Sequence, residues 1–151
     1  MTPEKDLLPE SSLQNNFGYK LAPPLTRLGA AIIEGILIYV PLYFILGYDN
    51  PFYAGDAFDF QSNFMQAALT GILGAIFYSL WSGNLGHRLF GLKVISAVDG
   101  SDQKKATVGA IREILKTFLG IVIIPSIWLL WDSKNQNLYD KIMKTLVVEA
   151  P

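Results

Sequence analysis

The chain has 151 residues, of which 51% are hydrophobic, 13% aromatic and only 17% charged, and its mean hydropathy is +0.32. A soluble domain carries roughly 25% charged residues, and three long apolar runs leave too little amphipathic sequence to cover them, so a soluble α-helical protein is disfavoured and an integral membrane protein expected. The net charge of −1 points to no partner, and the lack of cysteine excludes disulfides, thiolate metal sites and cysteine nucleophiles.

Residues 1–23 form a polar tail with no signal-peptide core, expected to be cytoplasmic and poorly ordered. The membrane domain is expected over 24–149. Pro23 and Pro24 stop any helix arriving from the tail, and Thr26 is a candidate N-cap for a first membrane helix over about Arg27 to Leu46, with Pro41 a site for a kink. That apolar run would act as an uncleaved anchor. Arg27 and Glu34 open it and stand seven residues apart, close to two turns, so both share one helix face. A charge at membrane depth costs roughly 3 kcal/mol on insertion scales, so the pair marks either a polar partner or a pathway.

The loop from Asp49 to Asn63 holds Asp49, Asp56 and Asp59 and no Lys or Arg, which places it outside and the N-terminus in the cytoplasm. A second helix, about Phe64 to Ser82, carries Ala67, Gly71 and Ala75 at four-residue spacing, and the first helix offers Ala31 and Gly35 at the same spacing. Small residues let backbones approach closely, so these two helices are expected to pack on each other.

From Gly83 to Glu113 the chain turns basic, with Arg88, Lys93, Lys104, Lys105 and Arg112. Beside membrane helices, anionic lipid head groups are the expected partner of such a cytoplasmic loop, not nucleic acid. Within it Leu92–Ser96 reads as a strand and Asp99-Gly100 as a turn, and Thr145–Val148 is a second β-prone run. The two strands can pair only on one side of the membrane. The third apolar run, Ile114–Trp131, has Arg112 and Lys116 at one end, Lys134, Lys141 and Lys144 beyond the other, and Pro125 in its middle. A segment that enters and returns on one side satisfies charge and strand pairing together and is favoured, with a plain third crossing left open. The expected fold is thus an all-α membrane protein: two full transmembrane helices, a third Pro-interrupted segment that re-enters or spans, and a small cytoplasmic β-hairpin-like element.

Glu34 reads either as an acid that binds or relays a cation or proton, or as half of a structural ion pair, and the residues leave both open. His87, the only histidine, has a proton-handling reading, but an interfacial, solvated side chain is the plainer one. With no second His and no Cys a zinc site is not expected. Gly83, Gly86 and Gly91 match neither a dinucleotide fingerprint nor a P-loop. Asp140, beyond Trp128 and Trp131, reads by itself as an ordinary solvated residue. No catalytic constellation can be assembled, so no enzyme activity, cofactor or metal is expected.

Arg27 with an acid seven residues on, Gly86-His87-Arg88-Leu89-Phe90-Gly91-Leu92-Lys93-Val94, and Leu138-Tyr139-Asp140-Lys141 with Lys144-Thr145-Leu146-Val147-Val148 together resemble the RDD family of bacterial membrane proteins, over about Pro24 to Glu149. The resemblance makes Arg27 the family's Arg, puts Glu34 in the place of its first Asp, and makes Asp140 its second Asp. Glu34 departs from the pattern by one methylene, and Asn84-Leu85 stands where the family usually has a Thr. The resemblance implies a multi-pass protein of the bacterial cytoplasmic (inner) membrane. It also implies transport, with sodium/proton antiport associated with some members. The expected function is proton-coupled movement of a cation or small solute with Glu34 as the intramembrane acid, in a homo-oligomer or larger membrane complex. The alternative is a non-transporting accessory subunit, favoured by the thin polar supply of the second helix: Gln66, Thr70, Tyr78 and Ser79.

Overall fold

The computed structural model describes residues 15–45, 60–120 and 128–151. The acidic loop with Asp49, Asp56 and Asp59, and Pro125 in the third apolar run, lie outside the described residues.

Helix α1 spans Pro24–Glu34 and starts two residues before Thr26. Pro24 sits in the first turn, where its missing N–H costs nothing and its fixed φ suits the helix, so no Thr cap is needed. The helix continues through a π-helical stretch, Gly35–Tyr39, into α2, Val40–Ile45. The expected break at Pro41 takes this form. Proline has no N–H for the preceding turn and crowds its carbonyls; just ahead of it Val40 N–H donates to the Gly35 carbonyl, five residues back.

Helix α3, Phe60–Trp81, has 22 residues, about 33 Å at 1.5 Å per residue, enough to cross a hydrocarbon core of about 30 Å. Two stretches are long and apolar enough to span a membrane, Pro24–Leu42 and Asn63–Leu89, with mean hydropathies of 1.6 and 1.4. Their large apolar side chains point outward: Ile32, Ile36 and Leu37 on the first, Phe64, Met65, Ile72, Ile76 and Leu80 on the second. A water-soluble protein would bury such rows; a bilayer accepts them.

After α3 come a short helix α4, Leu85–Leu89, strand β1, Leu92–Ser96, helix α5, Ala106–Gly120, a 3₁₀ turn at Trp128–Leu130, helix α6, Leu138–Ile142, and strand β2, Thr145–Glu149. The two predicted strands form and pair antiparallel, with Leu92 opposite Glu149 and Val94 opposite Val147. Val94, Ile95 and Val148 are fully buried. The last residues of the N-terminal tail belong to this layer as well. Leu21 bridges Val148, Ala22 N–H donates to the Val147 carbonyl, and Ala22 is fully buried. The tail from Asn15 onward is therefore more structured than composition suggested.

The small residues of the second helix serve a different neighbour from the one expected. Space for a side chain at Gly71 is taken by Ile114, and at Gly74 by Glu113 and the Gly109 carbonyl, all on α5. Thr70 meets Thr117 at 3.2 Å. Positions falling along α3 thus meet positions rising along α5, which defines an antiparallel pair whose backbones touch at Gly74 and Gly109. On α1, a side chain at Gly35 would meet nothing within 4 Å, and Ala31 is exposed. Ala67 is buried on α3 while Ala75 is half-buried. Helix α1 packs instead on α4, where a Cβ at Gly86 would collide with the Ala30 carbonyl and reach the Glu34 Cβ at 3.1 Å.

Candidate functional site

Two buried charge clusters occupy the space between α1, α3, α4, α5 and α6, and each takes one member of the charged pair on α1. Arg27 and Glu34 do lie on one face, and both are buried. They are not partners. Arg27 donates to Asp140 at 2.6 Å and to the Asn135 carbonyl, while the Glu34 carboxylate faces the Lys116 ammonium at 2.7 Å. An arginine extends about one turn along a helix, too short to bridge two turns when other anions are nearer.

The first cluster is centred on Asp140, which is fully buried and not the solvated residue expected from its polar context. One carboxylate oxygen accepts from Arg27 and from the Asn137 N–H at 2.9 Å. The other accepts from Arg112 at 2.5 Å, and Arg112 also donates to Thr145 at 2.6 Å. The Arg112 guanidinium is held between the rings of Tyr78 and Tyr139, at 5.6 and 5.3 Å from their centroids. Burial pushes the Asp140 carboxyl up, but the guanidinium groups of Arg112 and Arg27 and the hydrogen bonds outweigh it and hold the group below its ordinary range. Asn137 is the N-cap of helix α6, so the first turn places Asp140 where the N-cap backbone supplies a donor. Two guanidiniums against one carboxylate leave this cluster with an excess positive charge.

The second cluster has the opposite excess. Lys116 contacts Glu34 at 2.7 Å and Glu113 at 2.6 Å, so two carboxylates share one ammonium. The Asn84 side-chain amide donates to Glu34 at 2.8 Å and reaches Glu113 at 3.5 Å. Asn84 is itself fixed as the N-cap of α4: its carbonyl oxygen accepts from His87 N–H at 2.8 Å, and its backbone N–H donates to His87 Nδ1 at 3.3 Å. His87 is therefore buried and bonded, not interfacial and solvated. Its Nδ1 is engaged as an acceptor, which requires that nitrogen to be bare. A small cleft adjoins the cluster and is lined by Glu34, Glu113, Asn84, Tyr39 and Thr70, with apolar Ile38, Leu73 and Phe77 around them. Thr117 meets the Thr70 hydroxyl at 3.2 Å, extending the polar lining one turn along α5.

Helix α5 joins the clusters, carrying Arg112 for one and Glu113 and Lys116 for the other. Sequence reading passed over all three, and Asn84 with them, because a basic residue at the end of an apolar run is explained by membrane orientation alone. A usable signal was present. Arg112, Glu113 and Lys116 open the third apolar run just as Arg27 and Glu34 open the first. Asn84 showed only as a departure from the family's usual Thr, which does not reveal its contact with Glu34. Among the described residues, no group of three or more His, Cys, Asp or Glu side chains is placed to hold a metal ion.

A family model described as the RDD family matches residues 21–144, which includes Arg27, Glu34 and Asp140. No curated protein matches the chain, and no solved structure does.

Proposed function

Because the chain belongs to the RDD family, we propose that it is a membrane protein that moves a small cation in exchange for a proton, with Glu34 as the acid that faces the moving ion. The observation that carries this reading is the shared ammonium: Glu34 and Glu113 hold one Lys116 between them beside a small cleft. Two carboxylates on one cation keep unspent affinity for a second positive charge in a low-dielectric setting, where it is strongest. The Asp140 cluster, by contrast, is closed by hydrogen bonds on both oxygens and reads as the fastening that holds the third segment to α1.

The orientation that fits this reading places the N-terminus, the sheet and the basic loop in the cytoplasm of a bacterium, with anionic lipids against the loop. The third apolar segment enters and returns on that side. Arg112 near its start and Asp140 beyond its end are in contact, which supports a segment whose two ends lie on one side. So few helices enclose little space, which favours a homo-oligomer around the polar linings. Cation-driven proton flux in proteoliposomes, wild type against Glu34→Gln, tests the function. Undiminished flux in the variant removes the reading, and a stoichiometric membrane partner with no flux in either protein would establish the accessory-subunit alternative.

A further inference from the structure

The stretch from Trp128 to Lys144 carries apolar and basic side chains that neither charge cluster uses. Its 3₁₀ turn buries Leu129 and turns Trp128, Leu130 and Trp131 outward, with Trp131 69% exposed. The fold holds them there. Asp132 accepts from the backbone N–H groups of Lys134 and Gln136 at 3.1 and 3.0 Å, and it pairs with the Lys141 ammonium. That ammonium also lies 5.8 Å from the centre of the Trp128 ring, which ties the turn to the end of α6, where Ile142 is exposed too. An apolar surface that the fold fixes in an outward position marks a contact with something else.

Charge says what covers it. The acids between Trp128 and Lys144 are Asp132 and Asp140. The first is paired with Lys141 and the second is buried between two guanidiniums. Lys134 and Lys144 are exposed, and among the described residues neither has an acidic partner, so the uncompensated charge of this surface is wholly positive. The turn also closes the third apolar run, at the level where that run leaves the bilayer. Indole rings settle among lipid head groups, and exposed lysines beside a membrane draw anionic lipid. We propose that this face is an interfacial anchor for anionic phospholipid, with Trp128, Leu130 and Trp131 entering the boundary between head groups and chains while Lys134 and Lys144 meet the negative head groups. It is a surface apart from the basic stretch between α3 and α5. It rests on the reading of the chain as an inner-membrane protein and adds what holds the returning end of the third segment. A second copy of the chain fits less well, because a self-complementary contact brings the same uncompensated lysines together.

The test is fluorescence quenching in vesicles of equal parts phosphatidylcholine and phosphatidylglycerol, with bromine on the chains of one lipid or of the other. The full chain carries Trp81→Phe and Trp128→Phe, which leaves Trp131 as its single tryptophan. Both brominated lipids should quench Trp131, brominated phosphatidylglycerol about twofold more strongly. Lys134→Gln combined with Lys144→Asn should make the two equal; Asn tolerates the φ of 51° at that position. Quenching by neither lipid overturns the proposal, since the face is then covered by protein or open to water. Equal quenching with both lysines present overturns it as well, and so does a preference that survives their loss. Should the double Phe variant not fold, wild type is compared with Trp131→Phe, at an exposed position, and an unchanged preference for phosphatidylglycerol overturns the proposal. The readout needs no transport. Proton flux without lipid preference would sink this anchor alone, whereas lipid preference without flux would sink the exchange function alone.

Discussion

Arg27 and Asp140, 113 residues apart in the chain, meet across 2.6 Å with both side chains buried. Everything between them, including the whole of α3, the sheet strand β1 and the third apolar segment, must return to the start of α1 for that contact to form. The same carboxylate then takes Arg112 from α5, so a single acid ties the ends of three segments. Glu34, on the same face of α1 as Arg27, is left to a different partner, Lys116, and that separation gives α1 two distinct charge clusters.

If Asp140 is the fastening, Asp140→Asn leaves two buried guanidiniums without their anion. Removing one partner of a buried pair costs about 3–5 kcal/mol. The unfolding midpoint in detergent, followed by circular dichroism, should drop accordingly, and a loss under about 1 kcal/mol would show that the cluster is dispensable.

The same carboxylate gives stability a pH dependence. Its folded-state pKa lies below the ordinary value of 3.8, so its contribution is fully present above that value. It is lost as pH falls through the lower, folded-state value. The difference in stability between wild type and Asp140→Asn should be constant from pH 7 to about pH 5 and shrink in more acid solution. A difference that grows on acidification contradicts the assignment.

Separate clusters mean separate energetics on α1. A double-mutant cycle between Arg27→Met and Asp140→Asn should give a coupling of about 1–3 kcal/mol, while the cycle between Arg27→Met and Glu34→Gln should be additive within about 0.5 kcal/mol. Strong coupling between Arg27 and Glu34 would restore the pair that sequence alone suggested.

The α3–α5 contact makes a steric prediction. A Cβ at Gly74 would lie 2.6 Å from both the Gly109 carbonyl and the Glu113 side chain. Gly74→Ala should therefore cost about 1–3 kcal/mol by overpacking and displace Glu113. Gly35→Ala, in open space, should be neutral. Unfolding midpoints of the two variants make the comparison, and equal effects would refute the proposed helix pairing.

Much of this was legible in the chain. The two apolar helices, both strands, and Arg27, Glu34 and Asp140 as the residues to watch follow from hydropathy, β-propensity and the family resemblance. The burial of Asp140 was hidden because a short polar segment carries no periodicity that shows what lies above it. The partners were hidden for a related reason. Whether Lys116 serves as a topology flank or as a buried ammonium depends on which helix faces it, and Gly71 and Gly74 gave the spacing of a close approach without naming α5 as the neighbour. The role of Gly86 was invisible for the same reason, since only the folded position of Ala30 shows what a side chain there would strike.

Proton flux tests most directly the proposed role of Glu34 as the acid that exchanges a cation for a proton. Wild type, Glu34→Asp and Glu34→Gln should be reconstituted side by side, and sodium-driven proton movement followed with an internal pH dye. Wild type should carry flux, Glu34→Asp should retain it with a changed sodium dependence because the carboxylate is kept but drawn back by one methylene, and Glu34→Gln should carry none. Equal flux in wild type and Glu34→Gln, or none in any of the three, would contradict the account.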